Sequence, residues 1–234
     1  MFTIQIAYIA TFRLPRSTQV ANRIAKGTFT LDGTVYHTPI NEQSAEGGDT
    51  LHGGNVGFDR RSWTVIAVNA SSVTLSLLSA DMDMGFPGDL LVNVTHLVSD
   101  AGTWSISYSA MLVPGSAVAS TVIGMTNHAY FNLGNYSGAG EVLDHELNID
   151  AGSAIAVDTA LIPTGVIDKV STDFWLDFQT TKVSLHTLVT RTTRGRQDLG
   201  PLVSSAQLLN AYLIAAALVD DRPRHYPWNR CSWR

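Results

Sequence analysis

At 234 residues the chain has room for one large domain or two small ones. Hydrophobic residues make up 45% and charged residues 15%, which supports a sizeable core and excludes gross disorder. The net charge of −5 carries no basic footprint for nucleic acid or an anionic membrane. A single cysteine, Cys231, excludes an internal disulfide and a multi-cysteine zinc site.

The first residues, MFTIQIAYIATFRLPR, contain an apolar run with no basic residue ahead of it and no small-residue cleavage site. No signal peptide is expected there, which leaves the compartment open with a slight lean to the cytoplasm. No run reaches the roughly 18 apolar residues of a membrane span, so no membrane partner is expected. Three N-x-S/T sequons, at Asn69, Asn93 and Asn135, are no more than a Ser/Thr-rich chain produces by chance.

Residues 27–37, GTFTLDGTVYH, predict two short strands around Asp32-Gly33, because Asp-Gly between alternating runs is a hairpin signal. Residues 38–62 are polar and turn-rich, a long irregular stretch of the kind that carries function or disorder. From Trp63 the texture becomes strand-like. WTVIAVNASSVTLSLLSA has two β-branched runs broken by Asn69-Ala70-Ser71-Ser72, a hairpin pattern. MGFPGD punctuates, and LLVNVTHLVSD and TWSISYSAMLV alternate around Asp100-Ala101-Gly102. Strands at this spacing with no helical pattern between them predict an antiparallel sandwich or barrel. Residues 141–168 continue as short strands and turns.

Near Lys182 the pattern breaks. Residues 182–203 are polar and basic, with Arg191, Arg194 and Arg196 close together. Residues 204–219, SSAQLLNAYLIAAALV, predict a helix with Ser204 or Ser205 as N-cap. The end, DDRPRHYPWNRCSWR, has no periodicity and is expected to lack fixed structure. The chain therefore divides into an atypical segment 1–20, a β domain 21–178 and an unmatched tail 179–234.

Several residues carry candidate chemistry. Thr126-Asn127-His128-Ala129-Tyr130-Phe131-Asn132 mixes amides, an imidazole and aromatics, which suits sugar hydroxyls and ring faces. His128 can donate a proton near neutral pH, or it is a hydrogen-bonded structural histidine. In Leu51-His52-Gly53-Gly54 the glycines permit close backbone approach to a ligand; the bland reading is a loop histidine beside a turn. Arg23, after Asn22, presents a fork of donors for hydroxyls or an oxyanion, unless it covers a solvated edge. Phe58 and Trp63 either flank a ligand or fill core, with core favoured for Trp63. Asp81, Asp83 and Asp89 invite a calcium reading, but the spacing is not that of an EF-hand.

Four segments together resemble the aldose 1-epimerase (galactose mutarotase) family: ANRIAKGTFTLDG (21–33), LHGGNVGFDRRSW (51–63), TNHAYFNLGN (126–135) and DHELNIDAGSAIAVDTALIPTGVI (144–167). FPGDLLVNV (86–94) fits between them, and all stand in the family's order. The resemblance implies a large antiparallel β-sandwich, here incomplete. It implies interconversion of the α and β anomers of an aldohexose such as galactose or glucose, with no cofactor and no metal. It matches His128 to the general acid that protonates the ring oxygen, and His52, Asn22 and Arg23 to sugar-binding positions. Asp144, His145 and Glu146 resemble a charged strand segment with no catalytic role to carry over.

The resemblance also exposes a departure. The family's general base is a glutamate near the C-terminus, and no glutamate follows Glu146 here. The family's Tyr-Asp-His segment, which adds a substrate-binding aspartate, is not seen either. Asp198, Asp220 and Asp221 are the carboxylates downstream of Asp177, none in a family-like context. A shifted reading frame, a retained intron or a true variant would each produce such a tail. Two alternatives stand beside the enzyme reading. One is a catalytically impaired sugar-binding remnant of the same fold. The other is a zinc hydrolase using His52, His128 and His145, which lacks an H-E-x-x-H or comparable spacing.

Overall fold

The computed structural model describes residues 11–12, 18–44, 47–128, 146–172, 177–183 and 231–233. Every regular element among them is a β-strand or a single 3-10 turn, so the fold is all-β. The chain forms two compact units, Met1–Ala129 and Tyr130–Arg234.

The first unit is built on a five-stranded antiparallel sheet. Its strands are β1 (Thr11–Phe12), β6 (Trp63–Val68), β7 (Ser72–Ser79), β8 (Leu90–Val98) and β9 (Trp104–Leu112), in the spatial order β1-β6-β7-β8-β9. Successive side chains on a strand point to opposite faces, so alternation in sequence becomes two chemically distinct sheet faces. Leu75 lies opposite Val94 and Leu77 opposite Val92 on the inner face, and all four are buried. The other face carries Thr74 opposite Thr95, their hydroxyls 3.0 Å apart.

Phe58, Trp63, Leu90 and Met125 complete the core with these four residues. Trp63 is fully buried, and its indole N–H donates to the Phe58 carbonyl at 2.9 Å. That bond supplies the partner a buried indole needs. Phe58 packs edge-on against it, ring centroids 6.2 Å apart. Both aromatics flagged in the sequence therefore serve the core.

The turns follow their residues. Between β3 (Thr28–Leu31) and β4 (Thr34–His37), Leu31 pairs with Thr34 across Asp32 and Gly33, whose φ angles are 49° and 79°. Two consecutive left-handed residues make the primed turn whose twist matches a hairpin. Between β6 and β7, Asn69 Oδ1 accepts the backbone N–H groups of Ser71 and Ser72. Between β8 and β9, the Gly102 N–H donates to the Ser99 carbonyl.

The polar stretch 38–62 contains more regular structure than its composition suggests. β5 (Asp49–Leu51) pairs antiparallel with β2 (Arg23–Ala25), and Phe58–Arg60 forms a 3-10 turn. β5 is short and its two buried residues, Asp49 and Thr50, are polar, so no apolar alternation announces it. Asp49 is buried and accepts the Lys26 backbone N–H at 2.9 Å.

The second unit contains β10 (Glu146–Ile149), β11 (Ser153–Val157), β12 (Pro163–Lys169), a 3-10 turn at Val170–Thr172, β13 (Lys182–Val183) and β14 (Cys231–Trp233). β11 and β12 form an antiparallel hairpin, and β10 pairs antiparallel with both β13 and β14. Leu147, Ile149, Val170 and Phe178 are buried. The aperiodic C-terminal end was expected to lack fixed structure, yet Cys231–Trp233 adds a strand to β10. Strand addition uses backbone N–H and C=O groups, which every non-proline residue supplies without apolar alternation. The expected helix at 204–219 lies outside the described residues, as do residues 1–10, Asp144, His145 and the Arg191–Arg196 cluster.

Leu75→Ala should lower stability by about 2–5 kcal/mol, because the well-packed inner face cannot close the space; urea unfolding monitored by tryptophan fluorescence checks this. Burial pushes the Tyr108 phenol up to about 12. The neutral form is thus favoured in the folded state, and stability should be fully present below about pH 10 and fall as pH rises toward about 12. Ultraviolet difference titration should find one tyrosine ionising late, and Tyr108→Phe should remove that step.

Candidate functional site

The site is assembled by backbone pairing between short segments of the first unit. In the β2–β5 ladder Arg23 is registered on Leu51, so the residues just outside it, Asn22 and His52, face each other. The His52 N–H donates to the Asn22 carbonyl at 2.9 Å, and the Asn22 N–H donates to His52 Nδ1 at 3.2 Å. Both residues sit at positive φ, 62° for Asn22 and 50° for His52. Gly53 and Gly54 follow at 77° and 95°, and the Gly54 N–H closes the turn on the Leu51 carbonyl. Asparagine and glycine tolerate this region; histidine is held there by the two bonds to Asn22.

A second pairing brings in His128. Val20 and Gly124 form a parallel bridge, with the Gly124 N–H donating to the Gln19 carbonyl and the Ala21 N–H to the Gly124 carbonyl. The Gln19 side chain, almost fully buried, donates to the Val122 carbonyl at 3.1 Å. The chain leaving Gly124 therefore runs beside the segment that leads into Asn22. The His52 and His128 rings lie with centroids 5.2 Å apart, at 82° to each other. An edge-on pair of imidazoles at that distance can address one small ligand together.

Arg23 is held from the other side. Its Nε and Nη2 donate to Glu42 Oε2 and Oε1 at 2.5 and 2.8 Å, a two-pronged pair. Its Nη1 donates to Asn22 Oδ1 at 2.9 Å. Much of the fork is thus spent within the protein, which leaves Arg23 fewer donors for a ligand than the sequence suggested. The neighbouring Asn41 braces the histidine loop: its Nδ2 donates to the Leu51 and Gly54 carbonyls, and its Oδ1 accepts the Leu51 N–H at 2.6 Å. Asn41 and Glu42 were not singled out in the sequence. Their only signal there is position, an amide and a carboxylate side by side ahead of the HGG turn.

The structure thus brings Asn22, Arg23, His52 and His128 into one cluster. The companions Tyr130, Phe131 and Asn132 lie outside the described residues, as does His145, the third histidine of the zinc reading. The acidic trio is absorbed by a turn. Asp83 pairs with Arg61 and accepts from the Ser79 hydroxyl, Asp81 accepts the Gly88 N–H, and Asp89 accepts the Asp81 N–H.

Comparison with known proteins identifies the family. The family model described as aldose 1-epimerase matches residues 14–198, a span extending beyond the motif-bearing stretch at both ends. The galactose mutarotase of Rattus norvegicus is 44% identical over 152 residues, covering 65% of this chain and 41% of that protein. The aldose 1-epimerase of Haemophilus influenzae is 36% identical over 163 residues, 69% of this chain and 44% of that protein. Among solved structures, an aldose epimerase homologue from C. elegans superposes with a TM-score of 0.61 at 32% identity, over 72% of this chain and 49% of that one. The chain spans less than half the length of each of these relatives. With a family match over most of its length, an all-β fold and a solved structure of the family superposing on it, the chain belongs to the aldose 1-epimerase family.

Proposed function

We propose that this chain binds an aldohexose, galactose or glucose, and interconverts its α and β anomers. The observation that carries the reading is the approach of His52 and His128, 5.2 Å between ring centroids, beside the Asn22-Arg23 pair. Anomer interconversion needs a proton delivered to the ring oxygen as another leaves the anomeric hydroxyl. The C1–O5 bond then breaks, the free aldehyde rotates about C1–C2, and the ring recloses with the proton transfers reversed. His128 is the proposed acid at the ring oxygen. His52 is the proposed hydrogen-bond partner of the sugar beside it, with Asn22 and Arg23 lining the same cluster. No cofactor or metal enters this chemistry, because every step is a proton transfer, the breaking or re-forming of the C1–O5 bond it assists, or a bond rotation.

The acceptor of the anomeric proton is the open position. A carboxylate suits it, and no glutamate follows Glu146 in the sequence. Glu42, within the first unit, already has both carboxylate oxygens taken up by Arg23. The engagement of Glu42 by Arg23 favours a second reading, a sugar-binding protein of the same family with impaired catalysis. The zinc-hydrolase reading would show as stoichiometric zinc in purified protein by elemental analysis.

Polarimetry of freshly dissolved α-galactose separates the two main readings. One positioned acid–base group is worth about 10²–10⁴ in rate. The 234-residue chain should accelerate mutarotation weakly, by that factor below an enzyme holding both groups, and His128→Ala should abolish what remains. Unchanged activity in His128→Ala would sink the acid assignment. Saturable galactose binding with no acceleration by the parent chain would select the sugar-binding reading.

A further inference from the structure

We infer that Glu42 is a positioning residue: through Arg23 and Asn22 it holds His52 in the tautomer that presents an N–H to the ligand. This rests on the proposed sugar site and extends it to a residue outside that site's assigned set. Four contacts form the relay. Glu42 takes Arg23 Nε and Nη2 through both carboxylate oxygens, at 2.5 and 2.8 Å. Arg23 Nη1 donates to Asn22 Oδ1 at 2.9 Å. The Asn22 backbone N–H donates to His52 Nδ1 at 3.2 Å. The His52 and His128 rings then meet edge to face, centroids 5.2 Å apart.

The last protein–protein hydrogen bond in this series decides the tautomer. A backbone N–H has no second protonation state, so Nδ1 must offer its lone pair, and the imidazole proton resides on Nε2. His52 therefore meets a sugar oxygen as a donor through Nε2, beside the His128 ring.

The relay is needed because its central link is strained. Asn22 sits at φ 62° and His52 at φ 50°, and each is kept there by contacts with its neighbours. Arg23 is the first residue of the β2 ladder, directly after Asn22. With its guanidinium fixed by a two-point carboxylate, it becomes a rigid post for the Asn22 side chain. The Arg23 and Glu42 side chains are 16% and 29% exposed, so water competes only partly for the pair. Asn41, adjacent to Glu42, braces the same loop through Leu51 and Gly54, so one dipeptide holds the histidine turn on two sides.

Glu42→Gln tests the relay with little change in shape. Its amide keeps one acceptor oxygen, but its NH₂ opposes the second Arg23 donor. Imidazole ¹⁵N–¹H correlation spectra of ¹⁵N-histidine-labelled protein read the tautomer, with His52 assigned by loss of its signals in His52→Gln. The parent chain should show His52 as the Nε2–H form. Glu42→Gln should shift it to a mixture of tautomers and weaken galactose binding, measured by calorimetry, about tenfold. Arg23→Lys, which keeps the charge but loses the fork, should do the same, and adding Glu42→Gln to it should change nothing further. It also serves if Glu42→Gln fails to fold. A parent His52 in the Nδ1–H form overturns the inference, as does an unmoved tautomer in the folded variants. Galactose affinity unchanged while the tautomer shifts overturns it too. If the parent chain binds no galactose, the sugar reading fails, and the tautomer measurements still decide whether the relay exists.

Discussion

The register of the two short strands β2 and β5 is the constraint on which the rest of the site depends. Arg23 opposite Leu51 is what sets Asn22 against His52. A slip of one residue would turn Asn22 and its neighbours to the other side of the ladder. No apolar alternation specifies that register, since the buried residues of β5 are Asp49 and Thr50. It is specified by polar locks instead. Asp49 accepts the Lys26 N–H, Thr50 donates to the Pro39 carbonyl and bonds the Thr38 hydroxyl, and Asn41 takes the Leu51 N–H. Asp49, Thr38 and Thr50 are buried, where an unmade hydrogen bond costs about 1–3 kcal/mol each. A slipped register would leave several such groups unpaired at once, which makes the polar set as selective as a hydrophobic stripe.

Strain and its compensation lie close together. A non-glycine residue in the left-handed region costs about 1–2 kcal/mol, and Asn22 and His52 both occupy it. Their two reciprocal hydrogen bonds contribute about 0.5–1.5 kcal/mol each. The two sums are of similar size, so the conformation has little margin without the Arg23–Asn22 bond and the glycines that follow. Met82 and Met84 repeat the pattern at the turn before β8, at φ 60° and 48°, with Asp83 between them held by Arg61 and Ser79. In both places a partly buried ion pair keeps an irregular backbone from relaxing. The worth of such a pair lies in geometry more than in net stability.

The division of labour between sheet and loops follows from the same physics. The five-stranded sheet buries Trp63, Leu75, Val92 and Val94 and carries no candidate catalytic group. The candidate groups sit on short segments beside it, where backbone conformations closed to a regular strand are allowed. Met125 ties the two together: it belongs to the hydrophobic core and lies shortly before His128. The imidazole is thus anchored by apolar packing a few residues away, although residues 125–128 form no regular element.

What the sequence determined by itself was local. Alternation from Trp63 to Leu112 marks four strands, and Asp32-Gly33 specifies its hairpin, because each signal is read between neighbouring residues. The histidine, asparagine and arginine motifs were also legible, since their residue types carry the chemistry wherever they stand. Their convergence was not. It depends on a polar ladder between β2 and β5 and a parallel bridge at Val20 and Gly124, neither of which leaves a periodic trace. The partnership of Arg23 with Glu42 was hidden for the same reason: a side-chain pair between a strand and a separate segment has no sequence spacing that announces it. Arg23 reads in the sequence as a fork open to a ligand; only the tertiary structure shows much of that fork closed on a carboxylate, because the fold alone decides which charges meet.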